Sequence, residues 1–193
     1  SQMPSLLAST MAGLAGADYL DFEYEAWRRS ANIRQKIGLV CQVDADDSRP
    51  RRQLILSKHD FERTPADLVA ILDTLAGEPC HIVKLACKAE KITDSLTMLD
   101  ALRISAPKRP TIAISMGEPG ILARVLAAKC GAFLAFASLK AGKESAPGQI
   151  SLADMRTLYR WGNLNEHTKV YGVIGCPVVH SMSPAILNAA FGE

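Results

Sequence analysis

The chain reads as an α/β protein built from strand–helix units on a parallel sheet, and three observations predict it. Apolar or alternating runs of strand length recur at residues 18–23, 53–57, 80–87 and 110–116, each followed by a stretch of helical composition. Turn residues punctuate the alternation, with Gly77-Glu78-Pro79 before one strand and Gly117 and Gly120 after another. Chemically useful polar residues gather at the C-terminal ends of the strands: Glu23, His59, Lys84 and Ser115. Parallel strands present those ends at one edge, where α/β proteins place their sites. A doubly wound sheet shares that property, but no GxGxxG follows a strand here.

The elements follow in order. Residues 6–14 read as a helix ended by Gly16, and residues 18–23 alternate as a strand. Residues 26–37 are helical in composition. Residues 38–43 and 53–57 are apolar and strand-like, separated by the polar loop 44–52. Thr64-Pro65-Ala66-Asp67 opens a helix, Thr64 as cap and Pro65 at the first position, and residues 68–76 continue it to Gly77. After the strand around Lys84, residues 93–105 form a helix and residues 110–116 a strand. Residues 120–129 are predicted helical, 131–139 a strand, and 151–161 a closing helix.

Composition bounds the function. With 193 residues, 48% hydrophobic and 22% charged, the chain can bury one full core. A net charge of +2 with scattered basic residues gives no nucleic-acid footprint; Arg49, Arg51 and Arg52, with Pro50 among them, read as a solvated loop without stacking aromatics. Cys41, Cys80, Cys87, Cys130 and Cys176 are odd in number, mostly in apolar surroundings and without CxxC, which speaks against a disulfide framework or a zinc site and for a reducing compartment. No stretch is long enough to span a bilayer, and no signal peptide is visible.

Lys84 is the sharpest feature. It stands alone in the apolar run Cys80-His81-Ile82-Val83-Lys84-Leu85-Ala86-Cys87. Burying an ammonium is costly unless it is paired or gives up its proton. A lysine held at lowered pKa forms Schiff bases with carbonyl compounds; the alternative is a packed stem with its head in water. His59 could equally be a structural strand-end histidine, Arg124 a helix-surface arginine, and the 145–149 loop a plain Pro-Gly turn.

Together these pieces resemble a known family. His59-Asp60-Phe61, Ile82-Val83-Lys84-Leu85-Ala86, Ser115-Met116-Gly117-x-x-Gly120-x-x-x-Arg124 and Ser145-Ala146-Pro147-Gly148-Gln149 are similar to motifs of type I 3-dehydroquinate dehydratase, in that family's order and at similar intervals. Asp18-Tyr19-x-Asp21-x-Glu23 resembles its fourth strand, and Phe136 its last-strand aromatic; the likeness runs over residues 4–162. The resemblance implies a (β/α)8 TIM-type barrel and metal-free, cofactor-free dehydration of 3-dehydroquinate in the shikimate pathway. Lys84 is implied as the Schiff-base lysine, His59 as general acid–base and Glu23 as its orienting partner. Arg124, near an expected helix N-terminus, is implied as the carboxylate ligand. Ser145 and Gln149 are implied as hydrogen-bonding loop residues, and Met116 and Phe136 as apolar walls. Ala123 departs from the usual serine.

The first three strands of that family, with a Glu-x-Arg pair, have no counterpart, so the expectation is an N-terminally truncated barrel of five units, prone to poor solubility or oligomerisation. The tail Val170-Tyr171-Gly172-Val173-Ile174-Gly175-Cys176-Pro177-Val178-Val179-His180-Ser181-Met182-Ser183-Pro184 resembles the opening of shikimate dehydrogenase, whose two serines, here Ser181 and Ser183, bind shikimate hydroxyls. Asn188 fits that pattern, whereas Leu187 replaces a histidine. Read without the family, the same stretch is a strand followed by a helix capped by Ser183. The organisation expected is thus residues 1–162 as a partial barrel, 163–169 as a linker and 170–193 as the strand–helix start of a second α/β domain. NADP belongs only to the missing dehydrogenase part. The remaining expectations are a small-molecule substrate, no nucleic acid or membrane partner, a homodimer as an allowed state, and a cytoplasmic or plastid location. Another class I Schiff-base lyase or aldolase, or an inactive ligand-binding fragment, stands as the alternative.

Overall fold

The alternating run at residues 18–23 becomes strand β1 (Tyr19–Glu23), the first of four parallel strands in a computed structural model that describes residues 17–41, 52–139, 142, 148–178 and 180–191. The others are β2 (Gln53–Asp60), β3 (Ile82–Lys88) and β4 (Thr111–Met116). Between them lie α1 (Tyr24–Arg29), α2 (Ala31–Cys41), α3 (Leu68–Ala76) and α4 (Ile92–Ser105); α5 (Ile121–Leu126), α6 (Leu152–Thr157) and α7 (Ser183–Ala190) follow. The strands lie side by side in chain order, β1-β2-β3-β4, all parallel. That order never reverses, so these strands contain no doubly wound switch point; it is the wall of a barrel-type α/β fold.

The period of two along each strand sorts side chains onto two faces. One face carries Leu20, Leu54, Leu56, Val83, Leu85 and Ala113, packed with Leu68, Leu72 and Leu75 of α3 and Met98 and Leu102 of α4 in the main core. Truncating one of the fully buried leucines to alanine costs about 2–5 kcal/mol, because apolar burial is given up and the vacated volume stays partly empty. The opposite face carries a smaller cluster of Ile55, Ile82 and Ile112, with Ile114 and Leu134 against it. Trp27 seals α1 into the main core, its Nε1 donating to Glu78 Oε2 at 3.0 Å. The Arg109 guanidinium donates to the Cys80 carbonyl and so ties the start of β4 to the start of β3.

Several expectations are corrected. The run 38–43 is not a strand as far as Cys41; it is the end of α2, because Ile33, Ile37 and Cys41 at intervals of four put one buried stripe on a helix while Leu39 faces out. The stretch 26–37 is two helices parted at Ser30, whose Oγ accepts from Ile33 N. Thr64 caps nothing: α3 starts at Leu68 after Asp67, and the Thr64 hydroxyl donates instead to the Lys88 carbonyl at 2.7 Å. The 120–129 helix is a short α5 flanked by 3₁₀ turns at Glu118–Gly120 and Ala128–Cys130. Residues 131–139 form no ladder strand, only a bridge between Ser138 and Ser151. The closing helix stops at Thr157.

In the tail, the expected strand does not form. Val170, Tyr171, Val173 and Ile174 are exposed, and no strand among the described residues lies beside them to complete a ladder. Only the helix of the expected strand–helix start, α7, is present, with Met182 rather than Ser183 at the cap and Pro184 in the first turn. The helix expected over residues 6–14 and most of the 44–52 loop lie outside the described residues.

Candidate active site

Register builds the site. Glu23 pairs with Ser57, Ser57 with Lys84 and Lys84 with Ile112; one row further, His59 pairs with Ala86 and Ala86 with Ile114. Residues paired in register share a face, so Asp21, Glu23, Ser57, His59, Lys84 and Met116 all lie on the face opposite the main helical core. The three isoleucines of the smaller cluster form the floor beneath them.

Lys84 is 8% exposed, yet its ammonium is paired: Nζ donates to Asp21 Oδ2 at 2.6 Å. It also lies over the Phe136 ring, 4.6 Å from the centroid. A carboxylate and an aromatic face both favour a positive charge at that point. Pairing is therefore how this strand carries a buried lysine. The contact reaches from β3 across β2 to β1, an arrangement that apolar patterning around Lys84 does not disclose. The period of two that puts Asp21 and Glu23 on one face was the available signal.

His59 leans the other way along the same face. Its Nδ1 lies 2.6 Å from Glu23 Oε2, and its ring stacks on Phe61 at 5.5 Å. With Nδ1 donating to the carboxylate, Nε2 is the nitrogen left to exchange a proton with a bound molecule.

Arg124 stands in the last turn of α5, not at a helix N-terminus. It is buried, and burial pushes its pKa down from the usual arginine value. Its Nε donates to the Ser115 carbonyl at 3.1 Å, the one hydrogen bond its guanidinium makes among the described residues. A desolvated guanidinium with further donors to satisfy suits an anion. The approach depends on Gly120, where a Cβ would lie 2.3 Å from the Ser115 oxygen. Gly148, at φ 73°, presses equally closely on the Gly117 carbonyl, so Gly148 and the half-buried Gln149 after it lie against the end of β4. Only glycine allows both the left-handed turn and the contact. Ser145 lies outside the described residues.

Ser181 and Ser183 sit on the tail, Ser181 Oγ accepting from Ser183 N at 3.3 Å. The hydrogen bonds fastening α7 run from Asn188 Nδ2 to the Leu158 carbonyl and from Arg160 to the Asn188 carbonyl, not to the strand ends. Burial pushes the Cys41 thiol up to about 11 and the Cys87 thiol up to about 12, which disfavours the thiolate at both. Among the described residues no group of histidines, cysteines and carboxylates could hold a metal, and no helix is long and apolar enough to cross a membrane.

A family model described as type I 3-dehydroquinase matches residues 4–166. The chain is 36% identical over 179 residues to the chloroplastic bifunctional 3-dehydroquinate dehydratase/shikimate dehydrogenase of Arabidopsis thaliana, covering 91% of this chain and 28% of that protein. It is 35% identical over 159 residues to a 3-dehydroquinate dehydratase of Dehalococcoides mccartyi, covering 81% of this chain and 66% of that one. The chain thus spans less than two thirds of the length of either relative. The crystal structure of 3-dehydroquinate dehydratase from Geobacillus kaustophilus superposes with TM-score 0.60 at 26% identity, over 74% of this chain and 52% of that one. The dehydroquinate dehydratase and shikimate dehydrogenase of S. pombe, at TM-score 0.55 and 22% identity over 92% of this chain and 32% of that one, shares the fold.

Proposed function

The chain belongs to the type I 3-dehydroquinase family, and on that premise we propose that it carries out the Schiff-base dehydration of 3-dehydroquinate to 3-dehydroshikimate, a carbon–oxygen lyase step toward aromatic amino acids. Lys84 attacks the C3 ketone, and loss of water leaves an iminium. The iminium withdraws electrons from C2 and is itself the electron sink, so the chemistry needs no cofactor. His59 takes the C2 proton and returns it to the C1 hydroxyl, which leaves as water; positioned acid–base catalysis of this kind is worth about 10²–10⁴-fold. Glu23 holds the His59 tautomer. Arg124 binds the substrate carboxylate, Ser145 and Gln149 bond to the carboxylate and ring hydroxyls, and Met116 and Phe136 wall the ring.

The observation that carries this reading is a buried lysine on the same sheet face as a carboxylate–histidine pair, in the register row of Glu23 and one row from His59. The test is borohydride reduction in the presence of 3-dehydroquinate, followed by peptide mass spectrometry. A reduced adduct on Lys84, absent from Lys84→Ala, is the expected result; no adduct on the wild-type chain overturns the assignment.

The reading extends to the tail. Residues 1–162 form the dehydratase unit, 163–169 the junction and 170–193 the opening of a shikimate dehydrogenase, with Ser181 and Ser183 for shikimate hydroxyls and NADP bound by the remainder of that second enzyme. Support comes from the match to a bifunctional protein over 91% of this chain.

A further inference from the structure

Asp21 takes no part in the steps above, yet it makes the shortest contact to the reacting nitrogen. Its Oδ2 lies 2.6 Å from Lys84 Nζ, and the pair bridges two strands that are not neighbours, passing over β2. The two acids of β1 are divided between two bases: Asp21 reaches Lys84 and Glu23 reaches His59. Two carboxylates on one face repel each other, and each is matched by its own cation or proton donor. Lys84 is buried but Asp21 is exposed, so solvent screens the pair from one side and it is a weak device for stability alone. The surroundings of Nζ, a carboxylate on one side and the Phe136 ring on another, suit a cation. An iminium at the same nitrogen is also a cation. The free ammonium, by contrast, cannot attack a carbonyl until it loses a proton, and the base in contact with it is Asp21.

We propose that Asp21 is the counter-ion of Lys84, receiving the proton the ammonium must lose before attack and then pairing with the iminium nitrogen. This rests on the Schiff-base reading above. Nζ gives one proton to Oδ2, and the amine forms its bond to the carbonyl carbon. The carbonyl oxygen collects that proton and the second one lost from nitrogen, and leaves as water. The iminium N–H⁺ then faces an ionised Asp21, with the net charge unchanged. Asp21 thus touches the reacting nitrogen itself and serves it as proton acceptor and counter-ion.

The experiment measures borohydride trapping of 3-dehydroquinate on Lys84 in the full chain, by intact mass, across a range of substrate concentrations. Wild type, Asp21→Asn and Asp21→Glu are compared, with thermal melting of each. For Asp21→Asn the saturating trapping rate is expected to fall at least about tenfold, with the half-saturating concentration changed less than about threefold. Asp21→Glu, which keeps the carboxylate, is expected to recover most of the rate. Unchanged trapping in Asp21→Asn, or a change in half-saturation alone, overturns the proposal while leaving the Schiff-base reading intact. Equal losses in both variants with a lowered melting temperature assign Asp21 a structural role and also overturn it. Absence of a Lys84 adduct in the wild type sinks the Schiff-base reading and the proposal with it.

Discussion

Glu23 touches His59 at 2.6 Å and no reacting atom, so its effect on catalysis passes through the imidazole. Glu23→Gln keeps the shape but removes the charge that favours Nδ1–H and supports an imidazolium. Product formation from 3-dehydroquinate is expected to fall at least about tenfold, while borohydride trapping on Lys84 stays within about threefold. Equal losses in both measurements would mean that Glu23 shapes the site as a whole. At this scale the candidate residues were legible by type: Glu23 and His59 stand toward the ends of β1 and β2, and Lys84, inside β3 rather than at its end, interrupts an apolar run. The partnership of Lys84 with Asp21 was not, because it joins residues 63 apart in sequence across an intervening strand. Sequence patterning reports which face a side chain takes, not how far along that face it leans.

Strand β3 shows how an element holds its register. His81 precedes it, and its Nδ1 accepts the Leu54 backbone N–H at 2.9 Å, an interaction that requires a neutral ring. Burial, reinforced by the nearby Arg109 charge, pushes the His81 pKa below its ordinary value of 6.5. The unfolded chain therefore binds a proton near that ordinary value while the folded chain does not. Stability from His81 is present above pH 6.5 and is lost as pH falls toward the depressed folded value. Between about pH 7.5 and about pH 5.5 the melting midpoint of the wild type is expected to drop further than that of His81→Gln. Parallel pH curves for the two proteins would remove His81 from the account. Elements were legible where periodicity was clean, as in β2, β3, β4 and α4. The run 38–41 misleads because a short apolar stretch fits strand and helix alike, and only the packing of Ile33, Ile37 and Cys41 decides between them.

Across the whole molecule, the tail is anchored to the sheet-and-helix unit at few points among the described residues. Trp161 Nε1 donates to the Arg124 carbonyl, the Lys129 ammonium to the Glu166 carbonyl, and Asn188 Nδ2 to the Leu158 carbonyl. Asn188→Ala removes the side-chain bond that docks α7, a net loss of about 0.5–1.5 kcal/mol confined to the tail. Trypsin cleavage after Lys169 is expected to quicken while the melting midpoint of the sheet stays unchanged; a cooperative loss of both would make tail and sheet one folding unit. What the sequence by itself determined is the alternation of strands and helices, the parallel sheet, the family and which side chains are candidates for the chemistry. Each of these is written in local periodicity and in the residue types at strand ends. Tertiary structure alone decided that Asp21 pairs with Lys84, that residues 38–41 close a helix, that residues 170–175 lack a described strand to pair with, and that Gly148 packs against the end of β4. The physical reason is common to all four: they depend on contacts between segments distant in the chain, where register, close packing and the availability of a neighbouring strand outweigh local preference.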